Sequence, residues 1–427
     1  MTNSAFCLCA CLVGISCLSA QAETIVLRGA TVHPVSSPEL ANSSVLIQDG
    51  KIADVGPRVS VSRGARVIDV KGLHIYPGLI DSATEIGISE IGAVREMNDV
   101  TELGLFKPHL RAAAAVNPSS EHIPVTRANG ITSVITTPGG GIIAGQAALL
   151  HLNGWTIEEM AVKSPAAIRL EFPHIASGRN PFADTPGRES SYADAKKKYE
   201  EQLRELNDFM EAAEAYRHAK TAGSVTRPDL RLEAMMPVLD GRVPLLIRAE
   251  KARTIREAIA FSDKYKVRMV LERPAEAWKV ATLLKDHNVA VVLPPTLRLP
   301  EDEDDPYDKP FSMPSDLSKA GVKFAFATFG PGAGQNPRNL PYEASAAVAF
   351  GLPYEEALKA VTLYPAQIWG CADILGSIEK GKLADLIVTD GDPLETRTQI
   401  KQVYIKGVPV DLENKHHRLY VKYLGRP

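Results

Sequence analysis

Short runs of β-branched and apolar residues occur near both ends of the chain. They lie at residues 24–28, 44–48, 51–55, 65–70, 384–390 and 402–406. Asp49 and Gly50 separate two of these runs, and an Asp-Gly pair between strands predicts a hairpin turn. Because the same strand-rich pattern returns at both ends around a different middle, the sequence predicts one small β-sandwich domain, built from residues 23–78 and 379–427.

The middle of the chain alternates between continuous apolar runs and amphipathic segments. The apolar runs lie at residues 131–136, 244–248, 267–272, 289–293 and 323–328, and helical patterns lie at 254–264, 276–286, 344–350 and 354–362. This alternation is typical of a parallel sheet covered by helices on both faces. Residues 79–378 have the size of a (β/α)8 TIM-like barrel. Residues 192–220, rich in charge with one apolar face, predict a long amphipathic helix.

The first 22 residues differ from the rest, because they contain no Lys, Arg, Asp or Glu. An apolar run from Ala5 to Leu18 leads to Ala20-Gln21-Ala22, a small-x-small cleavage site before Glu23. This pattern indicates a secretory signal peptide at residues 1–22, and hence an exported, periplasmic or secreted protein without a membrane span after cleavage. Processing as a lipoprotein at Cys17 stays open. Cleavage leaves Cys371 alone, so the mature chain has no internal disulfide.

Composition narrows the functional classes. The 427 residues are 45% hydrophobic and 23% charged, with a formal net charge of −3, ten His and five Cys. These values exclude a disordered protein and a disulfide miniprotein. The near-neutral balance gives no general attraction to nucleic acid. Ten His leave a metal enzyme possible, provided that they stand at suitable positions.

Several motifs carry a resemblance to a known family. They are Pro77-Gly78-Leu79-Ile80-Asp81, Asn129-Gly130-Ile131-Thr132, Pro138-Gly139-Gly140-Gly141, the segment 357–366 and the segment 376–386. In this order they resemble the amidohydrolase superfamily of metal-dependent hydrolases, closest to its imidazolonepropionase-like and prolidase-like branch. The resemblance implies a barrel with its site at the C-terminal ends of the strands, and hydrolysis of C–N amide bonds by zinc or another divalent metal.

The metal ligands that the resemblance implies are missing. The family places a His-x-His on the first barrel strand, two later His and an Asp on the last strand. Here those positions hold residues other than His and Asp: Ala83, Glu85, Arg248, Glu250, Arg273 and Phe329. We therefore expect no metal cofactor. Because unpaired buried charges are costly, we also expect Arg248, Arg273, Glu85 and Glu250 to pair in the vacated site.

Two other segments of the sequence can be interpreted either as structural loops or as binding sites. The acidic run at residues 301–308 could bind Ca²⁺, but it lacks the EF-hand spacing and is more typical of a solvated loop. The glycine-rich segment 138–141 lacks a nucleotide-binding pattern and predicts a turn near the mouth of the site. Cys371 is typical of a small buried residue.

Three functional hypotheses follow. The first is a degenerate amidohydrolase that acts as a partner of an active paralogue or binds a small amide or peptide-like ligand. The second is an active hydrolase of dipeptide or non-peptide C–N bonds with an atypical site, using Glu85, Glu250, His109 or His122. The third is a structural subunit of a homo-oligomer. The sequence does not name the ligand, the partner or the oligomeric state.

Overall fold

A computed structural model of the protein describes residues 24–175, 191–329 and 336–426. The predicted signal peptide at residues 1–22 therefore lies outside the described residues. Within them, no helix combines the length and the apolar content that a membrane span requires.

Strands from both ends of the chain form one eight-stranded sheet. They are β1 (Ile25–Val32), β2 (Leu40–Gln48), β3 (Lys51–Gly56), β4 (Arg66–Asp69), β5 (His74–Pro77), and later the strands Leu386–Thr389, Ile400–Ile405 and Val408–Val410. The Leu386–Thr389 strand pairs with β5 and so joins the two ends. The predicted hairpin is confirmed, because Asp49 and Gly50 both have positive φ, at 51° and 75°, as a type I′ turn requires.

The remaining strands form a second sheet that curls into a barrel. They are β6 (Leu79–Thr84), β7 (Ile131–Thr136), β8 (Ile143–His151), β9 (Ala161–Glu171), β10 (Leu245–Arg248), β11 (Met269–Glu272), β12 (Ala290–Val292) and β13 (Phe324–Ala325). They are hydrogen-bonded in sequence order. The backbone N–H of Ser82 donates to the carbonyl of Phe326 at 3.3 Å and links the two edges. The predicted TIM-like barrel with a sheet domain from both termini is confirmed, with β14 (Leu386–Thr389), β15 (Ile400–Ile405) and β16 (Val408–Val410) completing that domain.

One barrel strand departs from the expected parallel arrangement. Strand β8 runs antiparallel to both β7 and β9. Only residues 137–142 separate β7 from β8, and a parallel connection needs a crossover of a dozen or more residues. The sequence patterns predicted neither β8 nor β9. The predicted domain limits of 23–78, 79–378 and 379–427 stay a prediction.

Helices cover the outside of the barrel. They are α1 (His122–Arg127), α2 (Ile157–Met160), α3 (Tyr192–Thr221), α4 (Leu230–Leu239), α5 (Ala252–Tyr265), α6 (Ala281–Asp286), α7 (Lys309–Lys319), α8 (Leu340–Ala349), α9 (Tyr354–Ala360), α10 (Leu363–Ile368) and α11 (Lys415–Leu424). The long helix expected at 192–220 is α3, which begins after the capping hydroxyl of Ser191 and buries Leu206, Met210 and Ala213. The predicted helix at 354–362 is α9, which ends two residues earlier at Ala360, and α10 follows after a turn.

The barrel interior and its helical cover form separate apolar clusters. Leu246, Val270 and Val292 belong to the interior cluster, whereas Leu245 and Leu271 pack with the helices. Because successive strand residues point to opposite faces, this parity fixes which side chains near the strand ends turn inward.

Candidate functional site

Charged side chains converge where strands β9, β10 and β11 end. Arg169 follows Ala167 by two residues, Arg248 follows Leu246, and Glu272 follows Val270, so each shares the inward face of its strand. These strand ends are the C-terminal mouth of the barrel, where the sites of such barrels are built.

Arg169 and Glu272 form the deepest charge pair of the mouth. Arg169 Nε donates to Glu272 Oε2 at 2.8 Å, and the two side chains are 4% and 0% exposed. Arg169 Nη1 also donates to the carbonyl of Pro138 at 3.0 Å, which fixes the start of the glycine-rich turn. Arg169 Nη2 lies 3.8 Å from Glu171 Oε2, within ion-pair range but without a hydrogen bond. The second oxygen of Glu272 is buried without a hydrogen-bond partner among the described residues.

Arg248 engages a second set of carboxylates nearer the rim. Its Nη2 donates to Glu250 Oε1 at 2.8 Å, and its Nη1 lies 3.4 Å from Glu171 Oε2. Burial alone would raise the pKa of Glu250, but Arg248, together with the charges of Arg273 and His174, outweighs that effect and holds the pKa below its usual value. Both charges of this pair are therefore maintained at neutral pH.

Arg273 has a different environment. Its guanidinium carbon lies 5.9 Å from the centroid of the Phe329 ring, which Arg169 also approaches at 5.0 Å. No carboxylate of the described residues lies within ion-pair distance of Arg273, and its Nε is buried without a hydrogen-bond partner there. Burial, together with the positive charge of Arg248, lowers the pKa of Arg273.

Glu85 follows the first barrel strand at one of the two His-x-His positions. It is partly buried, and burial raises the pKa of its carboxyl above the usual value, against the opposing effects of Arg169 and Arg273. Ala83, at the other position, is fully buried in the interior cluster.

The expected four-residue charge pairing is observed in part. Arg248 pairs with Glu250, whereas Glu85 and Arg273 form no ion pair within 4.0 Å among the described residues. The sequence interpretation missed Arg169, Glu171 and Glu272. The signal that could have found Arg169 and Glu171 is a pair of charges two positions apart, directly after the apolar residues 166–168.

These residues do not fit a divalent metal of the family type. Ala83 and Phe329 have no donor atom, and guanidinium groups cannot ligate a cation. Three guanidinium groups, from Arg169, Arg248 and Arg273, also place positive charge where a metal would add more. Carboxylates are present, but Glu171, Glu250 and Glu272 already contact arginines. We therefore derive no step through a metal ion.

The acidic loop at residues 301–308 is the other candidate for a metal site. Among the described residues, Asp302, Asp304 and Asp305 are the one group of acidic, His or Cys side chains close enough to share a metal. However, Asp302 lies 2.5 Å from Lys251 Nζ and Asp305 lies 3.3 Å from Lys279 Nζ. These lysines supply the positive charge that a bound cation would otherwise provide. The contacts therefore favour a solvated structural loop over a cation site.

Two His residues and the cysteine complete the set of candidates. His122, the first residue of α1, has its Nε2 2.8 Å from the carbonyl oxygen of Glu90. His109 Nδ1 is buried without a hydrogen-bond partner among the described residues. Cys371 is buried, and burial raises its pKa to about 12, so the thiol stays protonated and unreactive at neutral pH.

Comparison with known proteins agrees with this architecture. The sequence profile of the Amidohydrolase family matches residues 214–410. An amidohydrolase of known structure from Thermotoga maritima is 28% identical, with a TM-score of 0.78 over 91% of this chain and 99% of that one. Residues 214–410 therefore form an Amidohydrolase family domain, and the whole chain is similar in fold to an amidohydrolase. Its narrower placement in the imidazolonepropionase-like and prolidase-like branch stays a prediction.

Two further similar proteins define the limits of the comparison. Amidohydrolase tasK of Hapsidospora irregularis is 24% identical over 414 residues, covering 88% of this chain but 41% of that protein. The chain thus spans about two fifths of the length of that relative. An adenosine deaminase from Xanthomonas campestris, solved with bound zinc, is 18% identical with a TM-score of 0.52 over 94% of this chain and 97% of that one, which shows the shared fold alone.

Proposed function

We propose that this amidohydrolase-fold protein is non-hydrolytic and binds a small amide or peptide-like ligand at the mouth of its barrel. The observation that carries the proposal is the set of charge contacts in that mouth. Arg169 contacts Glu272 at 2.8 Å, and Arg248 contacts Glu250 at 2.8 Å. The glutamates that could have faced a metal are thereby neutralised by the protein itself.

Hydrolysis in this superfamily needs a water molecule that a metal makes nucleophilic near neutral pH, and a cation that polarises the scissile carbonyl. Arginine can polarise a carbonyl, but it does not generate hydroxide from water. Paired guanidinium and carboxylate groups are well suited to hydrogen bonding with an amide, whose N–H and C=O need one acceptor and one donor. The described residues of the mouth therefore offer recognition chemistry, which supports a binding role.

A metal and turnover measurement tests the proposal. Purified protein is dialysed against Zn²⁺, freed of excess metal and analysed for bound zinc and for hydrolysis of a panel of dipeptides and N-acetylated amino acids. We expect substoichiometric zinc, no hydrolysis above the rate without protein, and thermal stabilisation by some members of the panel. Stoichiometric zinc with turnover that a chelator abolishes would overturn the proposal.

A second candidate function is favoured by Glu85. A partly buried carboxyl with a raised pKa can act as a general acid or base, so an active hydrolase with an atypical site is the alternative. If the dipeptide panel is hydrolysed, Glu85→Gln should lower kcat by two orders of magnitude or more, about the range for an acid–base residue. Unchanged turnover in that variant would exclude Glu85 from the reaction.

The location and partners of the protein are proposed from sequence alone. We propose export through the signal peptide at residues 1–22, which is supported by its apolar run and the Ala20-Gln21-Ala22 site. A mature N terminus at Glu23 in the periplasm or medium would agree. An active amidohydrolase paralogue or a second copy of the chain is the proposed protein partner, tested by co-purification from the native source at moderate salt.

A further inference from the structure

We infer that helix α11 docks on the surface of an anionic phospholipid bilayer, with its apolar face in the interface and its basic side chains at the headgroups. The helix combines an outward apolar face, a basic face and an exposed neighbouring tryptophan. This surface lies outside the barrel mouth, so the inference holds or fails independently of the proposed function.

The apolar face of α11 points away from the rest of the protein. Tyr420, Val421 and Leu424 lie on one side of the helix and are 63%, 54% and 64% exposed. No residue of α11 is buried. A surface helix normally turns its apolar side towards the core, and a contiguous exposed apolar surface marks an interaction site. Within the described parts of the chain, this face of α11 therefore has no packing partner.

The other side of α11 is basic. Lys415, Arg418 and Lys422 recur at intervals of three and four residues, away from the apolar face. Residues 415–427 contain four Lys or Arg and no Asp or Glu. Lys415 and Lys422 have no carboxylate within 4.0 Å among the residues that the structure describes, and Arg418 lies 3.5 Å from Glu121. Because both members of that pair are exposed, it is weak, and Arg418 can exchange Glu121 for a lipid phosphate.

Trp155 extends the surface beside the helix. It is 89% exposed, and it lines a cavity of about 430 Å³ together with Arg418 of α11. Its backbone N–H donates to Glu159 Oε2 at 2.8 Å, which holds the loop that carries it. Tryptophan and tyrosine are favoured between lipid headgroups and acyl chains because their rings have an apolar body and a polar edge. Trp155, Tyr420 and Tyr423 supply such side chains here.

The helix is formed and held before any partner binds. The side chain of Asn414 accepts hydrogen bonds from the backbone N–H groups of His416 and His417 at 3.0 and 3.2 Å, which caps the first turn. Arg338 Nη1 lies 2.6 Å from His416 Nδ1 and ties α11 to the barrel. Binding therefore does not have to order the helix, which lowers its entropic cost.

The distribution of charge favours a bilayer over other occupants. In a contact between two copies related by a two-fold axis, the same surface meets itself, so the basic residues of the two α11 helices would repel each other. A nucleic acid would neutralise the basic side but leave the apolar face in water. An anionic bilayer accommodates both, because the apolar side chains enter the interface while Lys and Arg extend to the phosphates.

Cosedimentation with vesicles tests the inference. The chain from Glu23 onward is used, because the apolar run from Ala5 to Leu18 would insert into lipid by itself. Vesicles of equal parts phosphatidylglycerol and phosphatidylcholine are compared with vesicles of phosphatidylcholine alone. We expect binding to the anionic vesicles to be at least about tenfold tighter and to weaken as the NaCl concentration is raised.

Two variants of α11 separate its two faces. Leu424→Ser should weaken binding to the anionic vesicles by about tenfold, the effect of failing to bury one leucine side chain. Lys415→Gln/Lys422→Gln should weaken it by about twentyfold, because each basic residue near an anionic surface contributes about fivefold. All three residues are exposed, so the variants should fold, and melting curves establish this before binding is measured.

Matched controls lie elsewhere on the surface. Leu299→Ser replaces an 83% exposed leucine, and Lys196→Gln/Lys197→Gln removes two exposed charges of α3. Both controls should bind the anionic vesicles as the wild type does. Weakening by the controls as large as that by the α11 variants would overturn the assignment to α11.

The fluorescence of Trp155 reports whether its side chain enters the lipid. The two other tryptophans are less exposed, since Trp369 is buried and Trp278 is partly buried. Anionic vesicles should therefore shift the emission of the wild type to shorter wavelength, and Trp155→Phe should lack most of the shift. Binding without a shift would overturn the role of Trp155.

The remaining outcomes decide the occupant. Failure to bind the anionic vesicles, or equal binding to both kinds of vesicle, overturns the inference. A dimer in sedimentation equilibrium that Leu424→Ser dissociates would instead assign α11 to a contact between copies of the chain. None of these results bears on ligand binding at the barrel mouth, whose failure would in turn leave the role of α11 unchanged.

Discussion

Arg169 and Glu272 form a buried ion pair across two neighbouring inward positions of the barrel, with Nε 2.8 Å from Oε2. The pair lies beneath the ring of Phe329 and next to the carbonyl of Pro138, so both charges are removed from water. A buried pair of this kind costs as much to desolvate as it regains, but breaking it leaves one uncompensated charge. The two charges therefore neutralise each other inside the mouth, and the stability of the fold depends on both being present.

Removal of one partner should consequently cost far more than removal of both. We expect Glu272→Leu to lower the free energy of unfolding by about 3–5 kcal/mol, and the double variant Arg169→Met/Glu272→Leu to recover most of that loss. Urea denaturation measures both effects. Arg242→Gln, which removes an exposed pair with Asp240, is the control and should change stability by less than about 1 kcal/mol. A double variant no more stable than Glu272→Leu would contradict this account.

Much of the fold was predictable because its signals are local. The apolar runs that became β7, β10, β11 and β12 stand out against amphipathic neighbours, and Asp49-Gly50 specifies its turn by backbone conformation. Strand β9 was missed because its first half, with Lys163 and Ser164, lacks a continuous apolar run. Strand β8 was missed because its apolar run reads equally well as a strand or as part of a buried helix.

The sequence predicted which metal ligands the site lacks, but not how the side chains that replace them pair. The resemblance placed Ala83, Glu85, Arg248 and Arg273 at the family's ligand positions, and of these only Glu85 has an atom that can ligate a metal. What replaced the ligands depended on barrel closure, because the pairing of Arg169 with Glu272 joins residues that are far apart in sequence. The left-handed conformation of Arg273 could not be predicted, since the Pro274 that follows it disfavours rather than suggests a helical φ.

The buried carboxyl of Asp81 should make stability depend on pH. It accepts hydrogen bonds from Thr328 Oγ1 at 2.6 Å and from the backbone N–H of Ala83 at 3.2 Å. Burial nevertheless raises its pKa from 3.8 to about 7. Between these values the folded chain holds a proton that the unfolded chain has lost, so this group's contribution to stability falls as pH rises from about 4 to about 7 and is constant above.

Asp81→Asn removes that titration while keeping the shape of the side chain. We expect the variant to gain stability relative to the wild type as pH rises from 5 to 8. At about 1.4 kcal/mol per pH unit, the gain over the whole titration is at most on the order of 4 kcal/mol. Melting temperatures of the two chains at pH 5, 6, 7 and 8 provide the measurement. Parallel pH profiles would show that Asp81 ionises at its ordinary pKa.

A second buried pair joins the barrel to the terminal sheet. His151 Nε2, at the end of β8, lies 2.8 Å from Asp385 Oδ2, and the side chains are 2% and 5% exposed. Asp385 Oδ1 also accepts a hydrogen bond from the backbone N–H of Lys406 at 2.8 Å. The backbone carbonyl oxygen of Asp385 accepts another from the N–H of Gly78, also at 2.8 Å. One residue thus connects β8, the sheet domain and the start of the first barrel strand.

Truncation of this residue should weaken the junction strongly. We expect Asp385→Ala to lower the free energy of unfolding by about 1–3 kcal/mol, because the partly buried Lys406 N–H loses its hydrogen-bond acceptor. Asp385→Asn, which keeps an acceptor, should cost less. Lys401→Gln, which removes an exposed pair with Asp390 on the same sheet, serves as control. Equal urea midpoints for Asp385→Ala and Lys401→Gln would refute a structural role for the pair.

The glycine of the Pro77-Gly78 motif is explained by a close approach of two strands. A Cβ on Gly78 would overlap the hydroxyl and methyl groups of Thr132 on β7 and would lie 2.7 Å from its Cβ. The Gly78 N–H also donates to the carbonyl of Asp385 at 2.8 Å, so the backbone cannot move away without losing a bond to the sheet domain. We therefore expect Gly78→Ala to destabilise the protein by about 1–3 kcal/mol or more, as overpacking of a dense core does.

Paired substitutions on the facing strand can separate this clash from a general effect of alanine. In the Gly78→Ala background, Thr132→Ala removes the hydroxyl and methyl overlap but leaves the two Cβ atoms too close, so it should recover part of the stability. Thr132→Gly should relieve the clash more fully, although it adds the cost of a glycine in a strand. Gly92→Ala, at a glycine with open space around it, is the matched control and should be nearly neutral. If Gly78→Ala and Gly92→Ala have the same melting temperature, the close contact between Gly78 and Thr132 does not constrain the motif. If neither change at Thr132 recovers stability, the loss arises from the bond to Asp385 instead.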